Sequence, residues 1–577
     1  MTLSSIGRAP LVLLACALGL AGCHHARTAP APPPADLVFL GEHIYTVDPA
    51  TRGASAVAVR GEDIVAVGNP AAVKPLIGTS TRVVALGQRA LVPGFIDAHG
   101  HLGLAMQMLD LLNASSPPVG PMVSVDDIVL ALQERIATEA IPPGEFVLGY
   151  GYDDSLLAEG RHPNRDDLDR ASTEHPIALL HVSGHLATAN SAALAAAGLD
   201  ETTPNPFGGV IRRRAGTQVP NGVLEEVAAH ILMIPAFAKN DPAAFPSQVQ
   251  RAIAYHARYG ITTIQDGASS PELIAGLRAV SRVAPFPVDV AAFRVVQGAE
   301  GDITPESVGY TQDYQDGMRV AGVKFVLDGS PQGRTAWLTE PYTEGPPGAP
   351  ADYVAYPMVP PERYITEVAR LIKAGIPVIV HANGDAAIDL MIEGVDQALA
   401  GEPKDHRSVT IHAQLTREDQ LDEMKRLGII PSFFAAHPFF WGDWHRESFG
   451  DDRAMRISPL QSSIDRGLVF TIHNDAPVVP PDMMRLLEIA IGRKTRAGVV
   501  LGPEQRIPFP AALKAVTLDA AYQYFEENEK GSITPGKRAD LVVLERDPAT
   551  VPVDAISDIA VIETVSRGRT VFSASSR

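Results

Sequence analysis

Short apolar runs and longer amphipathic stretches alternate through the second half of the chain. A helical stretch at 251–259 precedes ITTIQDG at Ile261, and PFPVDVAAFRV and GVKFVLDG follow. Helical residues 361–374 lead to IPVIVHANGD, and a charged stretch leads to SVTIHAQ. A helical run at 416–427 leads to IIPSFFAAH, and GLVFTIHNDAPV begins at Gly467. Apolar runs of this length bounded by turn residues read as strands, and strands that alternate with helices build a parallel sheet. With an earlier run at 91–97 they number eight, which predicts an α/β chain built on a (β/α)8 TIM barrel. Residues 102–250 separate the first strand from the second. That is far longer than an ordinary βα loop, so the segment is expected to be a folded, cap-like insertion after strand 1.

The two ends of the chain share a different grammar. DLVFLGEHIYTVD, SAVAVRGEDIVAVG and RVVALGQRALV fall in 36–92, and GSITPGKRADLVVLERD and AVIETVSRGRTVF fall in 530–577. Turn pairs such as Arg60-Gly61 and Pro535-Gly536 break these runs into strands. Neither end is long enough for a good core alone. They are expected to combine into one small β-sandwich, with the barrel of 93–529 between them.

The first residues read as an address. Arg8 precedes an apolar run at 11–20 that is too short to span a bilayer. Leu20-Ala21-Gly22-Cys23 then resembles the lipobox of bacterial lipoproteins. Residues 1–22 are therefore expected to be a lipoprotein signal peptide, Cys23 a lipidated N-terminus, and 23–35 a Pro/Ala tether. An ordinary secretory signal with a chance cysteine is the alternative. His24 stands where inner-membrane retention usually shows Asp, so the expected location is the bacterial cell envelope, lipid-anchored at the outer membrane and facing the periplasm. Cys16 and Cys23 are the only cysteines, which leaves no thiol for disulfides or for a Cys-ligated metal. A net charge of −19 argues against nucleic-acid partners and against adhesion of the protein surface to anionic lipid.

The candidate chemistry starts at LVPGFIDAHGH, residues 91–101. His99 and His101 are two apart, and on an extended strand both imidazoles face one side. Alone, the pair equally describes two surface or hydrogen-bonded histidines. Active sites of such barrels lie at the C-terminal strand ends. Gln265-Asp266 end strand 2, Lys324 lies on strand 4 with Asp328 beyond it, His381 ends strand 5, His412 strand 6, His437 strand 7 and Asp475 strand 8. Nitrogen and oxygen donors suit zinc or another divalent transition metal. Further substrate-binding candidates are His185, Arg334, His437 and Tyr152. His185, with Asn190, could reach the substrate from the insertion or form a helix cap or buried polar pair. Tyr152, with Asp153 and Asp154, reads as an acidic loop after a strand. Arg334 could hold a substrate carboxylate or pair with an acid, and His437 with Phe439, Phe440 and Trp441 could form an aromatic wall or simply pack. Arg212-Arg213-Arg214 reads as a solvated charge run.

Taken together, PGFIDAHGH, VKFVLDGSPQGRTA, HANGD, IHAQ, NDAPV, GSITPGKRADLVVL, GYGYDDS and SGHLATANSAAL resemble the amidohydrolase superfamily. The resemblance is to its family 3, the YtcJ-like proteins and N-substituted formamide deformylases. It implies that His99 and His101 bind one metal with Asp475, and that His381 and His412 bind a second, giving one or two divalent ions per chain, zinc first among them. Lys324 falls where binuclear members carry a bridging carbamate; a buried lysine paired with a carboxylate such as Asp328 is the alternative. Asp475 would also be the catalytic proton shuttle in metal-assisted hydrolysis of an amide-type C–N bond of a small molecule. Asp328 would face the substrate. A cyclic amide or lactone hydrolase, a deaminase, and a binding protein without turnover are the competing readings. Membrane contact is expected only through lipid on Cys23, and self-association stays open. Ile411, His473-Asn474 and Asn383 depart from residues common in the family, which alters the substrate surround.

Overall fold

The computed structural model describes residues 32–237, 242–296 and 303–574. The expected signal peptide, lipobox and most of the tether lie outside the described residues. Among the described residues, no helix is long and apolar enough to cross a membrane.

Eight strands form one curled parallel sheet: β1 (Phe95–Ile96), β2 (Ile261–Ser269), β3 (Asp289–Val295), β4 (Met318–Val326), β5 (Val378–Ala382), β6 (Val409–His412), β7 (Ile430–Phe433) and β8 (Thr471–Ile472). Neighbours in the sheet follow chain order, and every pairing is parallel. The architecture is TIM-barrel-like. The first and last strands meet just past their ends, where Gly100 bridges Ala476 and the His101 amide donates to the Ala476 carbonyl at 2.7 Å. Gln523 tightens the same seam, donating to Ala98 O at 2.8 Å while accepting from Thr471 Oγ1 at 2.9 Å.

Alternation along the strands divides the apolar residues between two cores. Val290, Val320, Val378 and Val380 face the surrounding helices and meet Leu371, Ile388 and Met391. Ala291, Phe293, Ala321, Ile379 and Ile411 fill the inside of the curl with Tyr524. Those helices include Pro361–Lys373, Asp385–Leu399 and Glu418–Leu427.

The run expected as one strand at 91–97 divides. Ala90–Pro93 pairs antiparallel with Leu541–Leu544, whereas Phe95–Ile96 opens the curled sheet. Gly94 is the joint, and a Cβ there would lie 2.4 Å from Thr262 Oγ1, so only glycine passes between the two layers. Two four-stranded sheets result. One holds Leu37–Leu40, Ala56–Arg60, Asp63–Gly68 and Arg82–Ala85; the other holds Ala90–Pro93, Leu541–Leu544, Val561–Ser566 and Arg569–Ser573. They share one apolar core, including Phe39, Val57, Leu91, Leu541 and Val565.

Between β1 and β2 stands a separate six-stranded sheet. Its central strands are Val147–Tyr152, Ile177–His181, Leu186–Ala189 and Pro220–Glu226. Arg212 on this sheet corrects the solvated reading of its charge run: its side chain is largely buried and pairs with Glu225. Tyr152 ends a strand and does not sit in the loop after it.

Candidate metal centre

His99 and His101 lie just beyond β1, in the turn that crosses to the Ala476 backbone. Strand alternation therefore does not align them. The turn does, with the two rings 4.9 Å apart between centroids. Their ring nitrogens and an Asp475 oxygen all lie within 4.8 Å of one another. His101 Nε2 is 3.2 Å and His99 Nε2 is 3.5 Å from Asp475 Oδ1.

A second layer orients His99. Gln265 Nε2 donates to Ala98 O at 2.8 Å and faces the Tyr524 hydroxyl at 2.6 Å, which directs its Oε1 to His99 Nδ1 at 2.5 Å. The Nδ1 proton is thereby fixed, and the Nε2 lone pair points to Asp475 and to Lys324 Nζ at 3.0 Å. Gly267 gives the ring its space, since a Cβ there would sit 2.4 Å from His99 Cε1.

His381 and His412 continue the group. His381 Nε2 faces Gly329 O at 3.0 Å, and its Nδ1 lies 3.0 Å from His412 Nε2. His412 Nδ1 is 3.2 Å from His473 Nε2, and His473 Nδ1 is 2.9 Å from Ser432 Oγ. Burial pushes His99 and His412 well below the ordinary imidazole range and His473 down to about 3. Neutral imidazole is the ligand form. Burial also lowers the Lys324 amine to about 7, against the pull of Asp475. Burial alone would raise Asp475, but the hydrogen bond from His101 and the neighbouring imidazoles hold it well below the usual carboxylate range. Apart from the contact with His101, no donor is bonded to the buried Asp475 Oδ1. A buried anionic oxygen so sparsely bonded, beside the neutral rings of His99 and His412, fits a divalent cation.

Backbone strain gathers at the same place. His412, Ala413 and Asp475 have φ of 72°, 46° and 54°, a left-handed region that non-glycine residues rarely adopt. The turn at His412 brings its ring to the group although its neighbour Ile411 fills the core.

The other expected residues divide. His185 reaches the group from the insertion, 4.8 Å from the His381 ring, and its Nδ1 meets Glu226 Oε2 at 2.6 Å. Asn190 caps the helix Ser191–Ala196 and holds the 172–177 backbone, as a buried helix cap would. Asp328 accepts the backbone N–H groups of Trp337, Asn383 and Gly384 at 2.9, 3.0 and 2.8 Å, and the structure shows no bond to Lys324. Arg334 donates to Ser448 Oγ, Gly345 O and Glu344, and stacks on Trp444. His437 opens the helix His437–Phe449 instead of ending β7, and it pairs with His445 at 2.7 Å. Phe434 stands between it and the clustered histidines, in ring contact with His437, His412 and His473. Tyr152 is fully buried, 3.3 Å from His162 Nδ1.

Two members of the group, His473 and Gln265, are not marked as ligands by the strand pattern. His473 had a usable signal, since it stands two residues before Asp475 at the end of β8. Gln265 was visible as the end of β2, but nothing in the sequence pairs it with His99.

A parallel curled sheet with histidines and an aspartate gathered at one end defines the class of metal-dependent hydrolases. The chain belongs to the amidohydrolase family: the family 3 model matches residues 82–572. It is 27% identical over 544 residues to the N-substituted formamide deformylase of Arthrobacter pascens, covering 92% of this chain and 97% of that one. It is 26% identical over 557 residues to YtcJ of Bacillus subtilis, covering 93% and 99%. In fold it is similar to an uncharacterized metal-dependent hydrolase from Pyrococcus horikoshii, with a TM-score of 0.69 at 21% identity over 90% of this chain and 99% of that one. An adenosine deaminase from Xanthomonas campestris with bound zinc shares the fold at a TM-score of 0.52 and 14% identity, covering 93% of each.

Proposed function

We propose that the protein hydrolyses an amide-type C–N bond, such as that of an N-acyl compound or a formamide. The observation that carries this reading is the convergence of His99, His101 and Asp475 on one point. Similarity to a formamide deformylase along nearly the whole chain supports the substrate class.

His99, His101 and Asp475 would hold one divalent ion, zinc by its donor chemistry, with His381 and His412 available to a second. Such an ion supplies Lewis acidity and an activated water. Lys324, buried and drawn towards the neutral amine, would have the chemistry needed to take up CO2 as a carbamate and so offer an oxygen ligand. Asp475, held ionised beside His101, accepts a proton from the attacking water and returns it to the departing nitrogen. Gln265 keeps His99 in one tautomer while this happens. The His185–Glu226 pair brings a positive edge to the rim beside His381, placed to meet the substrate carbonyl or its acyl substituent: burial alone would lower His185, but the Glu226 carboxylate raises it.

The unit responsible is residues 93–529, with 102–250 as a cap over the open end. Lipid on Cys23 would tether it in the cell envelope, as LAGC and the Pro/Ala stretch after it support. Chelator-stripped protein should lose activity on a panel of N-acyl amino acids and formamides and regain it with Zn2+. Full activity in protein shown to be metal-free would overturn the reading.

A further inference from the structure

Away from the centre above, the insertion carries another group of metal-ligating side chains. Asp154, His162 and His181 each offer one atom, and the three atoms lie within 4.8 Å of one another. All three are buried, at 7%, 9% and 1% exposure. We propose that they form a separate divalent-cation site, most suited to Zn2+, that fastens the insertion in the shape it presents to the catalytic end of the barrel.

Geometry carries the argument. Asp154 offers a different oxygen to each histidine: Oδ1 lies 3.0 Å from His181 Nε2 and Oδ2 lies 3.5 Å from His162 Nε2. A separation of 3.5 Å is long for a hydrogen bond but close to the edge of a tetrahedron with metal bonds of about 2.0–2.1 Å. Each histidine also has an oxygen behind its other nitrogen, the usual outer support of a ligating imidazole. His162 Nδ1 faces the Tyr152 hydroxyl at 3.3 Å, and His181 Nδ1 faces Ser183 Oγ at 2.8 Å. The Ser183 amide donates to His181 Nδ1 at 3.2 Å, which places the proton of the metal-free ring on Nε2, against Asp154. Metal binding would move that proton to Nδ1, giving up the long bond from the Ser183 amide for a shorter one donated to Ser183 Oγ. The nearby charge does not oppose a cation, since Arg212 is paired with Glu225.

The position gives such an ion a purpose. Tyr152 and His181 are direct partners in the pairing of Val147–Tyr152 with Ile177–His181. The Asp153–His162 loop would be pinned to both strands at that point. Asp153, next to Asp154, accepts the Trp441 indole N–H at 2.7 Å, and Trp441 contacts His437. His185, four residues past His181, touches His381. An ion here would therefore fix two contacts between the insertion and the catalytic end.

The test compares metal content in the full chain. Wild type, Asp154→Asn and His162→Ala are saturated with Zn2+, desalted and counted by mass spectrometry, then titrated against a chelator. Each variant should hold one ion fewer per chain than wild type after desalting, and at saturating Zn2+ should release that ion to chelator with an affinity lowered by more than the about 10–100-fold typical for loss of an outer partner. Hydrogen exchange in 147–185 should quicken. Asp154→Asn keeps the side chain's shape and one oxygen, so it carries the test if His162→Ala does not fold. A folded variant that holds as many ions as wild type, with equal affinity, overturns the proposal. The readout is a difference in metal content, so it is independent of whether the catalytic reading holds.

Discussion

Replacing Asp328 by Asn should loosen the walls of the metal centre without touching an expected ligand other than His381. Asp328 Oδ2 accepts from the Trp337 and Gly384 amides at 2.9 and 2.8 Å, and Oδ1 accepts from Asn383 at 3.0 Å and lies 3.4 Å from His381 Nε2. An amide has one oxygen. Turned to keep the two bonds of Oδ2, it sets its own NH2 against the Asn383 N–H, and a buried donor is left without an acceptor. The remaining two bonds lose their charge assistance. Stranding a buried donor costs about 1–3 kcal/mol, and bonds to charged groups are worth about 1.5–3 kcal/mol against about 0.5–1.5 for neutral ones. A local loss of about 2–4 kcal/mol follows, or roughly 30- to 1,000-fold faster opening of the 337 and 383–384 backbone. Hydrogen exchange read by mass spectrometry on peptides covering 328–338 and 381–386 measures it directly. The zinc affinity of the protein should fall in the same variant, because Gly329 and Asn383 hold the far side of His381. Exchange within twofold of wild type, in a folded variant, would refute the idea that Asp328 organises this wall.

Asp475→Asn should keep the fold and part of the metal and lower kcat by about 10²–10⁴-fold, the usual worth of general acid–base help; a wild-type rate with metal bound would move the proton role to another group. His99→Ala or His381→Ala should reduce bound zinc and abolish turnover, and full metal content in an active variant would contradict the ligand assignment. Lys530→Met should destabilise the protein by about 3–5 kcal/mol at neutral pH, because it removes the buried cation that meets Asp289 and Glu526. Burial alone would raise Asp289, but Lys530 and Arg567 lower it, so the stability it contributes is present above about pH 4 and is lost as pH falls through its depressed value. The variant should therefore also unfold at a higher pH during acid titration, and an unchanged acid transition would refute this.

The elements of the curled sheet were legible in the sequence, and so were several of the residues that cluster at its end. All eight strands of the curled sheet were readable because each is an apolar run bounded by turn residues, a pattern set by local burial on both faces. His381, Lys324 and Asp475 were readable because a parallel sheet delivers the ends of its strands to one place. Where a boundary depended on a partner, the reading slipped: nothing local divides 91–97, and it is the pairing of Ala90–Pro93 with Leu541–Leu544 that assigns half of it to another sheet. Tertiary structure alone decided which nitrogens face one another. His412 needs a left-handed backbone to reach the group, and the tautomer of His99 depends on Gln265, distant in sequence and supplied by the next strand. Asp154, His162 and His181 follow no spacing a motif could capture. Their meeting rests on the register that sets Tyr152 opposite His181, and register comes from the packing of whole strands, a physical cause that no window of residues contains.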